Sequence, residues 1–413
     1  MAQALTKQSA LDLFEQITAF TLNDGSPGIT RLAYSKEDEQ AHRLMIEKCR
    51  ELGLEVRQDA MGNVFARLPG KNPELPAVGT GSHIDSVPQG GAYDGVIGVM
   101  AGLYAISQFK PQQLKRSLEL VIFRAEESSR FGFACMASKV MASQADFDKW
   151  AKNTDSQGNN IFQVLDNCGY QSQKLKECRL PTDYFSAFIE THIEQGKVLE
   201  HQQKRIGVVN GIAAPCRYRV EVHGHADHSG ATPMSQRHDA LVASAGIITD
   251  INTAACYESA YGTVGTVGRL DVTPNAINVI PGDVTFYVDI RGVDKSSVNR
   301  VVAKFLASVE HAKSVQDVVI HVHELANDMP VLMNDDIVHR LERICQEQGV
   351  PSVTMMSGAG HDTMYMAQDF PAGMLFIPSK EGISHHPDEY SEFDDVILAA
   401  EILQQALGEL ADA

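Results

Sequence analysis

The stretch Gly81-Ser82-His83-Ile84-Asp85-Ser86-Val87, followed by Gly91-Ala92-Tyr93-Asp94-Gly95, places an imidazole and two carboxylates beyond the short apolar run Ala77-Val78-Gly79-Thr80. A buried strand that empties into ionisable residues is the pattern of an open α/β sheet, whose chemistry lies past the strand ends. The chain repeats the pattern. Leu118 to Phe123 is an apolar run but for Glu119, close to what a strand buried on both faces requires, and it leads to Glu126-Glu127. Ala187-Phe188-Ile189 runs into Glu190-Thr191-His192-Ile193-Glu194-Gln195-Gly196, and an apolar run at 374–377 precedes Gly382-Ile383-Ser384-His385-His386-Pro387.

Taken together, these fragments hold the donors of a two-metal hydrolase. Two divalent ions about 3.5–4 Å apart need a bridging carboxylate and further N or O donors on each, with positions left open for water and substrate. Asp94 is the natural bridge, and His83, Glu127, His192 and His385 fill the remaining positions. That borderline-to-hard set suits Zn, Mn, Co or Ni. Asp85, two residues past His83, is placed to orient that imidazole. In the glutamate pair, Glu127 is read as the ligand and Glu126 as the base that takes a proton from the attacking water and passes it to the leaving nitrogen.

At 413 residues the chain exceeds the roughly 250–300 at which single cores stop growing, so two domains are expected. Helical spacing of Leu11, Phe14, Ile17 and Phe20 opens the chain, and Ser35 caps a helix to about residue 52. A hairpin follows around Met61-Gly62-Asn63, and residues 95–109 form a helix against the sheet. Between about 215 and 328 the apolar pattern changes to period two, in Tyr218-Arg219-Val220-Glu221-Val222 and Thr285-Phe286-Tyr287-Val288-Asp289-Ile290. Antiparallel strands with one polar face read this way. Helices at about 237–252 and 296–313 alternate with strands at about 261–269, 284–291 and 318–324. The fold expected is α/β with two domains: residues 1–213 and 329–413 form a central mixed sheet flanked by helices, and 214–328 form an inserted, smaller α+β sandwich. Short hinges are expected at 213–215 and 327–330.

The net charge of −18 argues against nucleic acid or an anionic membrane as partner, since phosphate binding needs a basic surface. Seven scattered cysteines without a C-x-x-C pair predict reduced thiols and a cytoplasmic protein. Met1 to Lys7 carries no export signal, and no window reaches ~18 uninterrupted apolar residues.

The motifs resemble the M20 family of metal-dependent amidohydrolases, and within it the hydantoinase/carbamoylase branch of N-carbamoyl-L-amino acid hydrolases, allantoate amidohydrolases and β-ureidopropionases. The similarity spans nearly the whole chain and is carried by GSHIDSV with GGAYDG, AEESSRF, ETHIEQG, HADHSGATPM, NAINVIPG with DIRG, SGAGHD and GISHHPDE. It implies two divalent ions on His83, Asp94, Glu127, His192 and His385, with Glu126 as base and Gln195 reaching the substrate. It also gives the insertion a role as lid and dimerisation domain. His228 would cross to the partner's site of a homodimer and polarise the scissile carbonyl, while Asn278 and Arg291 would clamp the substrate carboxylate. Backbone N–H groups of the loop at 357–362, Gly360 among them, would approach the ligand, with His361 and Asp362 on the substrate side or behind the ligands. The resemblance leaves two departures. Ala125 stands where allantoate enzymes commonly carry a third glutamate, and His385, directly after Gly-Ile-Ser, shares the C-terminal ligand position with the adjacent His386. The reaction implied is hydrolysis of the ureido C–N bond of an N-carbamoyl amino acid, releasing ammonia, carbon dioxide and the amino acid. Allantoate hydrolysis and dipeptide or N-acyl amino acid cleavage are the alternatives.

Overall fold

Leu118–Phe123 is buried along its whole length, including Glu119, which accepts from Arg67 and Tyr184, in a computed structural model that describes residues 3–327 and 329–413. Met1, Ala2 and Asp328, on which the N-terminal reading and the return hinge partly fall, lie outside the described residues. The chain divides into two compact units, the larger ending at Asn210 and resuming with Met333–Ala413, the smaller being Gly211–Leu332.

In the larger unit the strands Glu55–Gln58, Val64–Leu68, Leu118–Phe123, Ala77–His83, Phe185–Ile193, Ala372–Ile377 and Ile206–Ile212 lie side by side in that order, with Ser352–Ser357 paired to the last. The sheet is mixed. Its four central strands run parallel, with His83 beside Phe123 and Phe376 beside His192. The flanking pairs are antiparallel. This register brings the residues after His83, Phe123, His192 and Ile377 to one edge. Helix Val96–Ser107 is buried on nearly every side because it lies between the sheet and helix Phe393–Asp412. Such a helix reads as apolar all round rather than amphipathic. Ser35 caps Lys36–Glu51 through Asp38 N–H, the signal its sequence carries.

The smaller unit is a four-stranded antiparallel sheet, ordered Val319–Asn327, Ala214–His223, Asp283–Gly292 and Val264–Thr273. Alternate residues Val220, Val222, Val284, Phe286, Val288 and Ile290 point into a core shared with Ile247, Ile251, Val301 and Phe305 of two helices. Burying each large side chain contributes about 1.5–3 kcal/mol. The helices start at Ala240 and Lys295, not 237 and 296, because Asp239 and Asp294 cap them through backbone N–H groups of the first turn. Helix Ala240–Glu258 is long and apolar enough to span a membrane by composition, yet it buries Ala243, Ile247 and Ile251 in this core.

Candidate metal centre and active site

Asp94 stands at the entry of helix Val96–Ser107, where the positive end of the helix dipole favours a carboxylate. The turn before that helix needs Gly95. Its φ is +67°, and a Cβ there would sit 2.4 Å from His83 Cε1.

The two oxygens of Asp94 face different partners. Oδ1 lies 3.5 Å from His83 Nε2 and 3.3 Å from His192 Nε2. Oδ2 lies 3.4 Å from His385 Nε2, which is in turn 3.3 Å from Glu127 Oε1. Two donor clusters result, His83/Asp94/His192 and Asp94/Glu127/His385, each with its donor atoms within 4.8 Å of one another. Imidazole nitrogens and carboxylate oxygens that converge in this way, with one carboxylate common to both sets, fit a pair of divalent ions.

Contacts behind the donors point them inward. His83 Nδ1 faces the Asp85 carbonyl at 3.1 Å and His192 Nδ1 the Ile193 carbonyl at 3.0 Å, which turns each Nε2 toward Asp94. Asp85 also accepts the backbone N–H groups of Glu126 and Glu127, at 3.3 and 3.1 Å, and so holds the glutamate pair as well as the imidazole. Ala125, Gln195 and His385 have φ of +55°, +57° and +56°. Non-glycine residues persist in this region only where surrounding contacts hold them, and such strain clusters at functional sites.

Glu126 is buried, with Oε2 3.7 Å from His83 Nε2 and Oε1 accepting the thiol of Cys135 at 3.0 Å. Burial raises its pKa well above the usual carboxylate range, against the pull of His83 and with the help of Glu127 and Asp362. It is a carboxylate with a high proton affinity beside the clusters, as a general base requires. In the ion-free protein His385 is pushed up to about 11 by its hydrogen bonds to Asp94 and Glu127. His386 instead turns toward Asp388, at 3.6 Å, so His385 is the imidazole of the pair that joins the donors.

Gln195 Nε2 donates to Asp94 Oδ2 at 2.6 Å, while its Oε1 is buried without a protein partner. His361 packs its ring 4.4 Å from that of His192, and burial lowers its pKa well below the ordinary imidazole value. Asp362 accepts from Ser138 and is pushed up to about 8, first by burial and then by Glu190. Gly360 is exposed, and a Cβ there would meet nothing within 4 Å, so its smallness is not used by this conformation.

His228, Asn278 and Arg291 belong to the smaller unit. His228 pairs with Val279, and the Asn278 carbonyl accepts from Ser229, which makes His228 and Asn278 neighbours. Arg291 is not near them. Its guanidinium is held by Asp289, at 2.8 and 2.9 Å, at the opposite end of the strand that begins at Asp283. The eight residue steps from Asp283 to Arg291 along this extended strand span about 27 Å.

Several residues around the site carry no signal of their own in the sequence. Glu190 receives Ser82 on one oxygen and Thr363 on the other, Ser384 Oγ lies 2.9 Å from both Asp94 Oδ2 and Glu389 Oε2 with one proton to share between them, and Glu389 also receives the backbone N–H groups of Tyr93, Asp94 and His385. Glu190 has the most legible position, two residues before His192 on the same strand face.

The chain matches the family model described as Peptidase family M20/M25/M40 over residues 79–409. It is 37% identical over 391 residues to a ureidoglycolate hydrolase of Oryza sativa subsp. japonica, covering 93% of this chain and 81% of the relative. It is 36% identical to an N-carbamoyl-L-amino-acid amidohydrolase of Pseudomonas sp. (strain NS671), over 92% of each chain. An allantoate amidohydrolase of Escherichia coli (strain K12) is 34% identical over 94% of each. Among solved structures, an amidase of the hydantoinase/carbamoylase family from Burkholderia multivorans superposes with a TM-score of 0.91 at 30% identity, covering 100% of both chains. The family model and these near full-length similarities agree: this chain belongs to peptidase family M20/M25/M40, as an amidohydrolase enzyme of its hydantoinase/carbamoylase branch.

Proposed function

We propose that this chain hydrolyses the linear ureido C–N bond of an N-carbamoyl amino acid, releasing ammonia, carbon dioxide and the amino acid. The observation that carries the reading is the splitting of Asp94 between two donor clusters with Glu126 alongside. Two divalent ions held by His83, His192, Asp94, Glu127 and His385 would supply Lewis-acid activation of water and of the scissile carbonyl. Zn, Mn, Co and Ni all suit these donors. Glu126 accepts the proton of the attacking water and returns it to the departing nitrogen. Gln195 Oε1, buried and unpaired, is suited to accept a substrate N–H.

The substrates named for the three relatives share one core, a ureido group on the carbon next to a carboxylate. They differ in the third substituent, which is a side chain, a hydroxyl or a second ureido group. Ammonia release by the metal-loaded protein from N-carbamoyl-L-amino acids, N-carbamoyl-β-alanine, ureidoglycolate and allantoate, and release of free amino acid from N-acyl amino acids and dipeptides, test the reading. Turnover of N-carbamoyl amino acids is expected. Turnover confined to allantoate or ureidoglycolate would move the chain to that substrate, and cleavage of acyl or peptide bonds alone would overturn the ureido reading.

The reading includes a homodimer in which His228 and Asn278 serve the partner's site, while Arg291 binds the substrate carboxylate. The strand length of about 27 Å between the Asp283 and Arg291 ends supports it, because one small acid cannot touch both ends of a single copy. His228→Ala is expected to keep its metal and lose about 10²–10³-fold in kcat, the scale of a lost oxyanion donor. Co-expressed with Arg291→Ala, it should recover about a quarter of wild-type activity, since half the dimers are mixed and each carries one intact site. No recovery in verified mixed dimers would rule out the shared site. A cytoplasmic location completes the reading, supported by seven cysteines that are all free thiols.

A further inference from the structure

We propose that Glu389 is the positioning residue of the second donor cluster, fastening the loop of Asp94 to the loop of His385. The inference rests on the two-ion reading above. Glu389 is 5% exposed, and both its oxygens are fully used. Oε1 accepts the backbone N–H groups of Tyr93 and Asp94 at 2.9 and 3.0 Å. Oε2 accepts Ser384 Oγ at 2.9 Å and the backbone N–H of His385 at 3.3 Å. One carboxylate therefore holds the main chain of the bridging donor and that of a terminal donor, across 295 residues of sequence. Ser384 Oγ lies 2.9 Å from Asp94 Oδ2 as well, so its single proton is shared between the two carboxylates. The loop is bare where the carboxylate enters, since a Cβ on Gly91 would lie 2.1 Å from Glu389 Oε1.

The dependence is unequal between the clusters. His83 and His192 sit at strand ends, with ring orientations fixed by the carbonyls of Asp85 and Ile193. His385 sits on a loop, half exposed, with a φ of +56° that its surroundings must hold. Glu389→Gln separates the two halves of the clasp. The amide oxygen can still accept from Tyr93 and Asp94, but its NH2 then faces the N–H of His385, donor against donor. Asp94 stays placed and His385 is released.

The test is stepwise Co(II) binding to the ion-free full-length protein, read by calorimetry and by visible absorption, with Glu127→Gln marking the step that belongs to the second cluster. Wild type is expected to bind two ions per subunit. Glu389→Gln should bind the first unchanged and the second about 10–100-fold more weakly, the usual effect of losing a residue that orients a ligand. Ser384→Ala should weaken that same step by less. Both steps unchanged in folded Glu389→Gln, both weakened alike, or a step other than that of Glu127→Gln weakened, would each overturn the proposal. If circular dichroism shows Glu389→Gln unfolded, Ser384→Ala decides, with selective loss of the second step supporting the proposal and an unchanged second step overturning it. A single ion in wild type would instead sink the two-ion reading, and this inference with it.

Discussion

Glu126→Gln is expected to hold its metal like wild type and to lose about 10²–10⁴-fold in kcat, the range for a positioned general base. The substitution conserves shape, and Glu126 stands outside both donor clusters, so neither ligation nor packing needs to change. Removed is the ability to take a proton. Because the loss is in a step beyond binding, kcat and kcat/KM should fall together while KM holds. Metal content per subunit and steady-state ammonia release check both parts, and turnover near wild type would remove Glu126 from the role. A stability readout goes with it. A carboxyl whose folded pKa is raised contributes stability that is present at low pH and lost as pH rises through that value. The ion-free Glu126→Gln protein should therefore melt no lower than ion-free wild type at neutral pH.

Asp94→Asn is expected to abolish activity by emptying both clusters at once, whereas Glu127→Gln and His385→Ala should each empty one. Asp94 alone is shared between those two clusters. Burial opposes its charge, but His192, His385 and His83 outweigh burial and keep its pKa well below the normal range. An asparagine amide offers one oxygen and one NH2. Whichever way it is turned, one cluster meets a donor in place of an acceptor, and neither meets a negative charge. Metal analysis after gel filtration distinguishes the outcomes, and two tightly held ions in Asp94→Asn would refute the bridging role.

Most of the residues that cluster around Asp94 had a legible position in the sequence, because they follow apolar runs that read as buried strands. His83, Glu126-Glu127 and His192 all stand at or just beyond such runs, and the parallel register brings them together. Glu389 and Ser384 were not readable as part of the site, because their role exists only in contacts to Tyr93 and Asp94, nearly 300 residues away. Cys135 likewise depends on a left-handed turn, φ +54°, that aims its thiol at Glu126. In the fold, strand Ile206–Ile212 contains two glycines and an asparagine, which weaken a strand signal. Helix Phe393–Asp412 has helically spaced Val396, Ala400, Leu403 and Leu407 but no side-chain cap to mark its start, and it is absent from the sequence reading. The split between Asn278 and Arg291 is a matter of strand length, visible only once Asp283–Gly292 is seen to run unbroken.

The larger unit leaves off at Asn210 and resumes at Met333, and these two residues are already joined, Met333 N–H to Asn210 carbonyl at 3.1 Å. The gap in that unit is thus no wider than the mouth of a hairpin, which a two-residue turn can close. Genetically, the intervening segment is a cassette. Its two ends lie together, so an exchange would join the hosting unit at a single point and leave in place the strands that end at His83, Phe123 and His192.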